Sequence, residues 1–185
     1  MTNEQKDPVS SQGPIDKYKK KLDKTGIQAF FILTQRGLPI IERYYTNPEE
    51  LGIIGTEAHA MSSMMTTLAK FAMDLSVVKM VSDVGILTSR LYFDFLNDML
   101  FVLVYDEQRL LKYRHMDIQT LLKGCVSSVK DVFQAFLGDE LSSGDPNDLY
   151  NFREEFGDFK YTVDSLLYST YKELVEMLDM KEIDT

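Results

Sequence analysis

The side chains capable of chemistry in this 185-residue chain are few and scattered. There are two histidines, His59 and His115, and one cysteine, Cys125. His59 falls in the first turn of a predicted helix, and His115 lies in the polar stretch KYRHMD. Neither has a metal-ligand or catalytic partner at a recognisable spacing, and a capping or surface role is the ordinary use of such residues. Cys125 borders an apolar helical stripe with Leu121, Val126 and Val129, which suits a buried structural thiol better than a reactive one. Asp139, Glu140, Asp145 and Asp148 invite a calcium reading. The EF-hand pattern fails, because Leu149 and Tyr150 stand where Asp or Asn and Gly are required. Walker, dinucleotide, zincin, nucleophile-elbow and C-x-x-C motifs are all absent from the sequence. The expectation is a protein with no catalytic residue, no cofactor and no metal, and so not an enzyme.

Binding surfaces are better represented. Lys17, Lys19, Lys20, Lys21 and Lys24 form a basic cluster on one short segment, diluted by Asp16 and Asp23. Near an anionic membrane each lysine contributes about 1 kcal/mol; the ordinary reading is a solvated helix face. Further on, Met61, Met64, Met65, Leu68, Ala72 and Leu75 repeat at helical spacing. Ser62, Ser63, Thr66, Thr67, Lys70 and Asp74 fall on the other side, the first four small and uncharged in a chain otherwise rich in charge. That face, with the strand expected after it, is the predicted protein interface: Ser63, Thr66, Thr67, Lys70, Val77, Lys79 and Val81.

These surfaces need a scaffold. The chain is 44% hydrophobic and 26% charged, ordinary for one domain with a real core. A net charge of −9 and a pI near 4.7 argue against nonspecific nucleic-acid binding. One cysteine makes no intrachain disulfide, and the polar start lacks an apolar signal-peptide core. A cytoplasmic protein with protein partners is expected, with membrane attachment at most peripheral.

Residues 1–14 read as a disordered tail, followed by a single domain over 15–180. A short helix is expected from Ile15 to Lys24, closed by Gly26. Ile27 to Thr34 is apolar on both alternating faces and reads as a strand covered on both sides. Gln35-Arg36-Gly37 turns the chain into a second strand, Leu38 to Tyr45, whose Pro39 belongs at a strand start or a free edge. The long helix spans Thr56 to Leu75. Strands follow at Val77–Val84, Ile86–Leu96 and Met99–Tyr105, punctuated by Gly85 and Asn97-Asp98. A helix opens at Asp117, carries Leu121, Leu122, Val126, Val129, Val132, Phe133 and Phe136, and closes at Gly138. GDELSSGDP then reads as a loop. Asp145-Pro146 starts a short helix lined by Leu149, Phe152 and Phe156, and a final helix holds Val163, Leu166, Leu167, Leu174 and Leu178. The result is an α+β two-layer sandwich: a five-stranded antiparallel sheet in β-β-α-β-β-β-α order, with one face covered by helices and C-terminal helices added.

FFILTQRGLPIIERYY resembles the opening hairpin of longin domains, and RLYFDFLNDMLFVLVYDEQ resembles their fourth and fifth strands. The likeness spans about Ile27 to Tyr171 and lies in pattern, with no invariant motif. The related roadblock domains share the sheet but begin with a helix, a part that Ile15–Lys24 can play. The resemblance implies a non-enzymatic module for vesicle trafficking or small-GTPase regulation. Its partner would be a Ras-like GTPase, another longin or roadblock subunit, or a second copy. The heptads that follow SNARE longin domains are missing. Two alternatives stay open. One is a roadblock-type homodimer that assists GTP hydrolysis or scaffolds it. The other is a small-molecule sensor of PAS or profilin-like build, with a pocket lined by Tyr92, Phe93 or Phe95.

Overall fold

The structure, a computed structural model, describes residues 15–34, 37–51, 66–67, 83–86, 89–97, 99–110, 117–143 and 157–183. The tail expected over 1–14, His59, His115 and the short helix expected after Asp145 lie outside the described residues. Helix α1 is Ile15–Thr25, β1 is Ile27–Thr34 and β2 is Pro39–Tyr44. A 3-10 turn follows at Pro48–Leu51, and Thr66 and Thr67 are helical. Strands β3 (Asp83–Ile86), β4 (Ser89–Leu96) and β5 (Met99–Tyr105) come next. A one-turn helix α2 (Glu107–Leu110) leads to α3 (Ile118–Ser143), and α4 (Phe159–Ile183) is the last described element.

The strands form one antiparallel sheet in the order β2-β1-β5-β4-β3. The most apolar strands, β1 and β5, lie next to each other inside it, with Phe31 opposite Val102. Every residue of both strands is buried. Pro39 opens the edge strand β2, where its missing N–H costs no ladder bond on the outer side. Gly37 turns the hairpin at φ +82°, donating its N–H to the Thr34 carbonyl at 2.9 Å.

The sheet has two apolar cores, one per face. Phe30, Ile32, Phe101 and Leu103 point to the face where α3 and α4 supply Val126, Phe133, Val163 and Leu167. Ala29, Phe31, Leu33, Phe93, Val102 and Val104 fill the other, with Tyr44 and Leu51 packed against them. Helices α3 and α4 thus cover one sheet face, and β1 is buried on both sides, as its sequence calls for. The double-sided apolar alternation of β1 demands cover on both faces, since leaving Phe31 and Val102 wet forfeits about 2 kcal/mol each.

Element boundaries also differ from expectation. Gly85 sits inside β3, opposite Arg90, and does not end a strand; glycine weakens a strand but keeps its N–H and carbonyl in the ladder. Residues 77–82 of the expected strand lie outside the described residues. Gly138 does not close α3, which continues to Ser143 and takes in Asp139 and Glu140, so the first two thirds of the expected GDELSSGDP loop is helical. One interior glycine costs a helix only about 1 kcal/mol. The start of α3 is as read: Asp117 accepts the Gln119 N–H at 3.0 Å and the Thr120 hydroxyl at 2.7 Å. The Thr120 hydrogen bond, then those from the backbone, hold the Asp117 carboxyl below its ordinary pKa.

On the helical face, aromatic rings link sheet and helices. Phe101 meets Phe133 edge-on at 5.5 Å, and Phe133 meets Phe159 at the same distance. Phe136, expected in the α3 core stripe, is instead 58% exposed and leans on Phe159 at 5.6 Å.

Candidate functional site

The predicted interface is only partly described. Ser63, Lys70, Val77, Lys79 and Val81 lie outside the described residues. Thr67 is exposed, but Thr66 is buried at 7% exposure. Thr66 is thus corrected from the open face. A face drawn from helical period alone assumes one neighbour, the sheet; burial of Thr66 requires a second surface over that side. The outer edge of β3 pairs with no strand among the described residues, leaving it as a sheet edge.

The chemical candidates resolve more firmly. Cys125 is fully buried with its Sγ 3.9 Å from the Leu167 carbonyl, and burial pushes the thiol up to about 12. It is a packing residue and not a nucleophile. Among the described residues, no three His, Cys, Asp or Glu side chains come together as a metal site. Tyr92 and Phe93 are buried in opposite cores, and Phe95 packs half-buried on the same side as Phe93. These three therefore line no common pocket. Among the described residues, no helix is long and apolar enough to cross a membrane.

One site was not legible as a unit. Lys21 and Lys24 from α1, Arg109 from α2, and Tyr168, Tyr171 and Lys172 from α4 line a cleft of about 480 Å³. Its frame begins at Gly26, whose φ of +95° ends α1 and turns the chain into β1. The Gly26 carbonyl accepts the Asp106 N–H at 2.8 Å, and a Cβ at Gly26 would lie 2.8 Å from that of Arg109. Glycine thus permits the start of α2 to press against the end of α1. Arg109 then reaches back: its Nη1 donates to the Asp23 carbonyl at 3.3 Å and lies 3.2 Å from the Asp23 carboxylate. Its Nε lies 3.3 Å from Asp106.

The far wall is α4. The Lys21 ammonium lies 4.7 Å from the Tyr168 ring centre, and the Tyr18 and Tyr168 rings are 5.8 Å apart. Lys172 pairs with Glu176 at 3.3 Å, both 60% exposed. The lysines of α1 were visible in the sequence as a basic cluster. Arg109 and Lys172 were not, because they arrive from segments far along the chain.

A second polar group ties β2 to α4 from below. Asp164, 1% exposed, accepts a two-pronged bond from Arg43, with Nε to Oδ1 at 2.8 Å and Nη2 to Oδ2. The Tyr45 hydroxyl donates to the same Oδ1 at 2.8 Å. Burial, and then the Asp164 charge, push the Tyr45 phenol well above its ordinary pKa. Arg43 also stacks 5.7 Å from the Tyr161 ring. The saturated geometry marks this group as an anchor for the helix that walls the cleft.

No family model matches the chain, and no curated protein matches it. Among solved structures, it is similar to Myxococcus xanthus MglB, at 10% sequence identity and a TM-score of 0.43, covering 70% of this chain and 99% of that one.

Proposed function

We propose that this chain is a non-enzymatic, protein-binding module of the longin/roadblock kind that regulates or scaffolds a Ras-like small GTPase in the cytoplasm. The carrying observation is the sheet order β2-β1-β5-β4-β3, with helical residues Thr66 and Thr67 between β2 and β3 and the long helix α3 after β5. An opening hairpin of β1 and β2, and a later hairpin of β4 and β5, are the two parts that resemble longin domains, and both pair in one antiparallel sheet. The reading rests on fold-level analogy, and the chemistry supports it: the one thiol is sealed in the core. With β1 and β5 buried on both faces, the described residues offer a protein partner helix surfaces and sheet edges. The short β3 leaves one such edge open to pairing with a second chain.

The helix α1 before the first strand favours a second version, the roadblock-type homodimer. Sedimentation of the 21.3 kDa chain, alone and with candidate GTPases, distinguishes the two. A concentration-dependent dimer supports the roadblock form, and a monomer that joins a GTPase supports the longin form. A monomer that associates with no GTPase overturns both.

A further inference from the structure

We infer that the cleft between α1 and α4 binds a phosphomonoester anion, carried by a soluble polyphosphate or by a lipid headgroup. The chain as a whole is acidic, at −9, so a cleft lined by four cations against one carboxylate, Glu176, stands against the trend of its surface. The cations there are not equivalent. Arg109 is held by Asp23 and Asp106, and so shapes the wall more than it offers charge. Lys21 has an aromatic partner, Tyr168, and among the described residues neither Lys21 nor Lys24 pairs with a carboxylate. Lys172 holds Glu176 through an exposed pair, a contact worth about 0–1 kcal/mol that a phosphate readily replaces.

Phosphate fits this donor set better than a carboxylate ligand. Ammonium groups are compact point charges with three donors each, suited to a dianion with three terminal oxygens. The volume of about 480 Å³ exceeds the needs of one phosphate, so the group it carries also fits, against the faces of Tyr168 and Tyr171. Exposed Lys17, Lys19 and Lys20 extend positive charge from the rim along α1, which strengthens approach to anions at low salt. This inference concerns the helical side of the molecule and is independent of the GTPase reading.

The test uses inositol hexakisphosphate as the soluble probe, titrated calorimetrically into the full chain. In parallel, sedimentation is run with phosphatidylcholine vesicles containing phosphatidylinositol 4,5-bisphosphate, against phosphatidylserine vesicles matched in charge. Lys24→Glu and Lys172→Glu alter the cleft, and Lys123→Glu on the exposed side of α3 makes the same change in net charge elsewhere. Each cleft variant should weaken binding by roughly tenfold or more, the loss of a charged hydrogen bond, while Lys123→Glu changes it by less than about twofold. Binding of the hexakisphosphate alone identifies a soluble ligand, and cleft-dependent binding of the bisphosphate vesicles identifies a lipid headgroup; either supports the site. The inference is overturned if the wild-type chain binds neither, or if Lys123→Glu weakens binding as much as Lys24→Glu.

Discussion

Arg43 and Asp164 stand 121 residues apart in the chain and meet through two parallel hydrogen bonds, beneath a helix that walls the cationic cleft. Asp164 is nearly inaccessible and Arg43 is 16% exposed at its side chain. Removing one partner strands the other in a dry site. Asp164→Ala should therefore cost about 3–5 kcal/mol in urea unfolding, whereas replacing both by apolar residues of similar size should restore much of the loss. A cost below about 1 kcal/mol for Asp164→Ala would mean that water reaches the site.

The buried thiol sets an alkaline limit. Cys125 lies at about 12 in the folded chain against 9.0 ordinarily, because burial disfavours its anion. The unfolded chain releases that proton first, so stability is complete below 9.0 and falls as pH rises towards 12. The slope is about 1.4 kcal/mol per pH unit. Tyr45 adds the same sign of change above its ordinary 10.0. Unfolding measured at about pH 8 and about pH 10 should show the loss in wild type and a smaller loss in Cys125→Ala. Equal losses would place the thiol in contact with solvent.

Two glycines separate backbone from side-chain crowding. Gly26→Ala forces a Cβ to 2.8 Å from that of Arg109, at a φ of +95°. It should cost about 1–3 kcal/mol. At Gly124 the added Cβ meets only the Leu174 Cδ1, at 2.6 Å, the end of a side chain that can rotate. The gain in helix propensity offsets the crowding, so Gly124→Ala should stay within about 1 kcal/mol of wild type. Thermal unfolding of both variants checks the order, and a reversal would contradict the close approach of α2 to α1.

Thr66 and Thr67 are adjacent and should behave oppositely. Thr67→Glu, on an exposed side chain, should change stability by less than about 0.5 kcal/mol. Thr66→Arg buries a charge and should cost about 2 kcal/mol or more. Thr67→Glu is therefore the variant to carry into association assays. Equal stability of the two would return Thr66 to the open face.

The sequence made the strands easiest to read, for a physical reason. Ile27–Thr34 and Met99–Tyr105 are apolar on both alternating faces, and only inner strands can bury such residues. Asp117 and Pro39 gave correct punctuation because capping and the missing N–H act locally. Gly85 and Gly138 misled, since packing across a sheet or along a helix outweighs a cost of about 1 kcal/mol. The cleft was half legible, as the lysines of α1. What turns those lysines into the wall of a cleft is Arg109, Tyr168 and Lys172, whose approach is tertiary. Nor does any spacing announce a pair such as Arg43 and Asp164.

The central claim is that the chain recognises a small GTPase as a protein partner. Its most direct test is calorimetric titration of the purified chain with Ras-like GTPases from the same source, each loaded in turn with GDP and with a non-hydrolysable GTP analogue. The account predicts a complex with at least one of them in which affinity depends on the bound nucleotide and falls in Thr67→Glu. Absence of binding to every GTPase in both nucleotide states would contradict it.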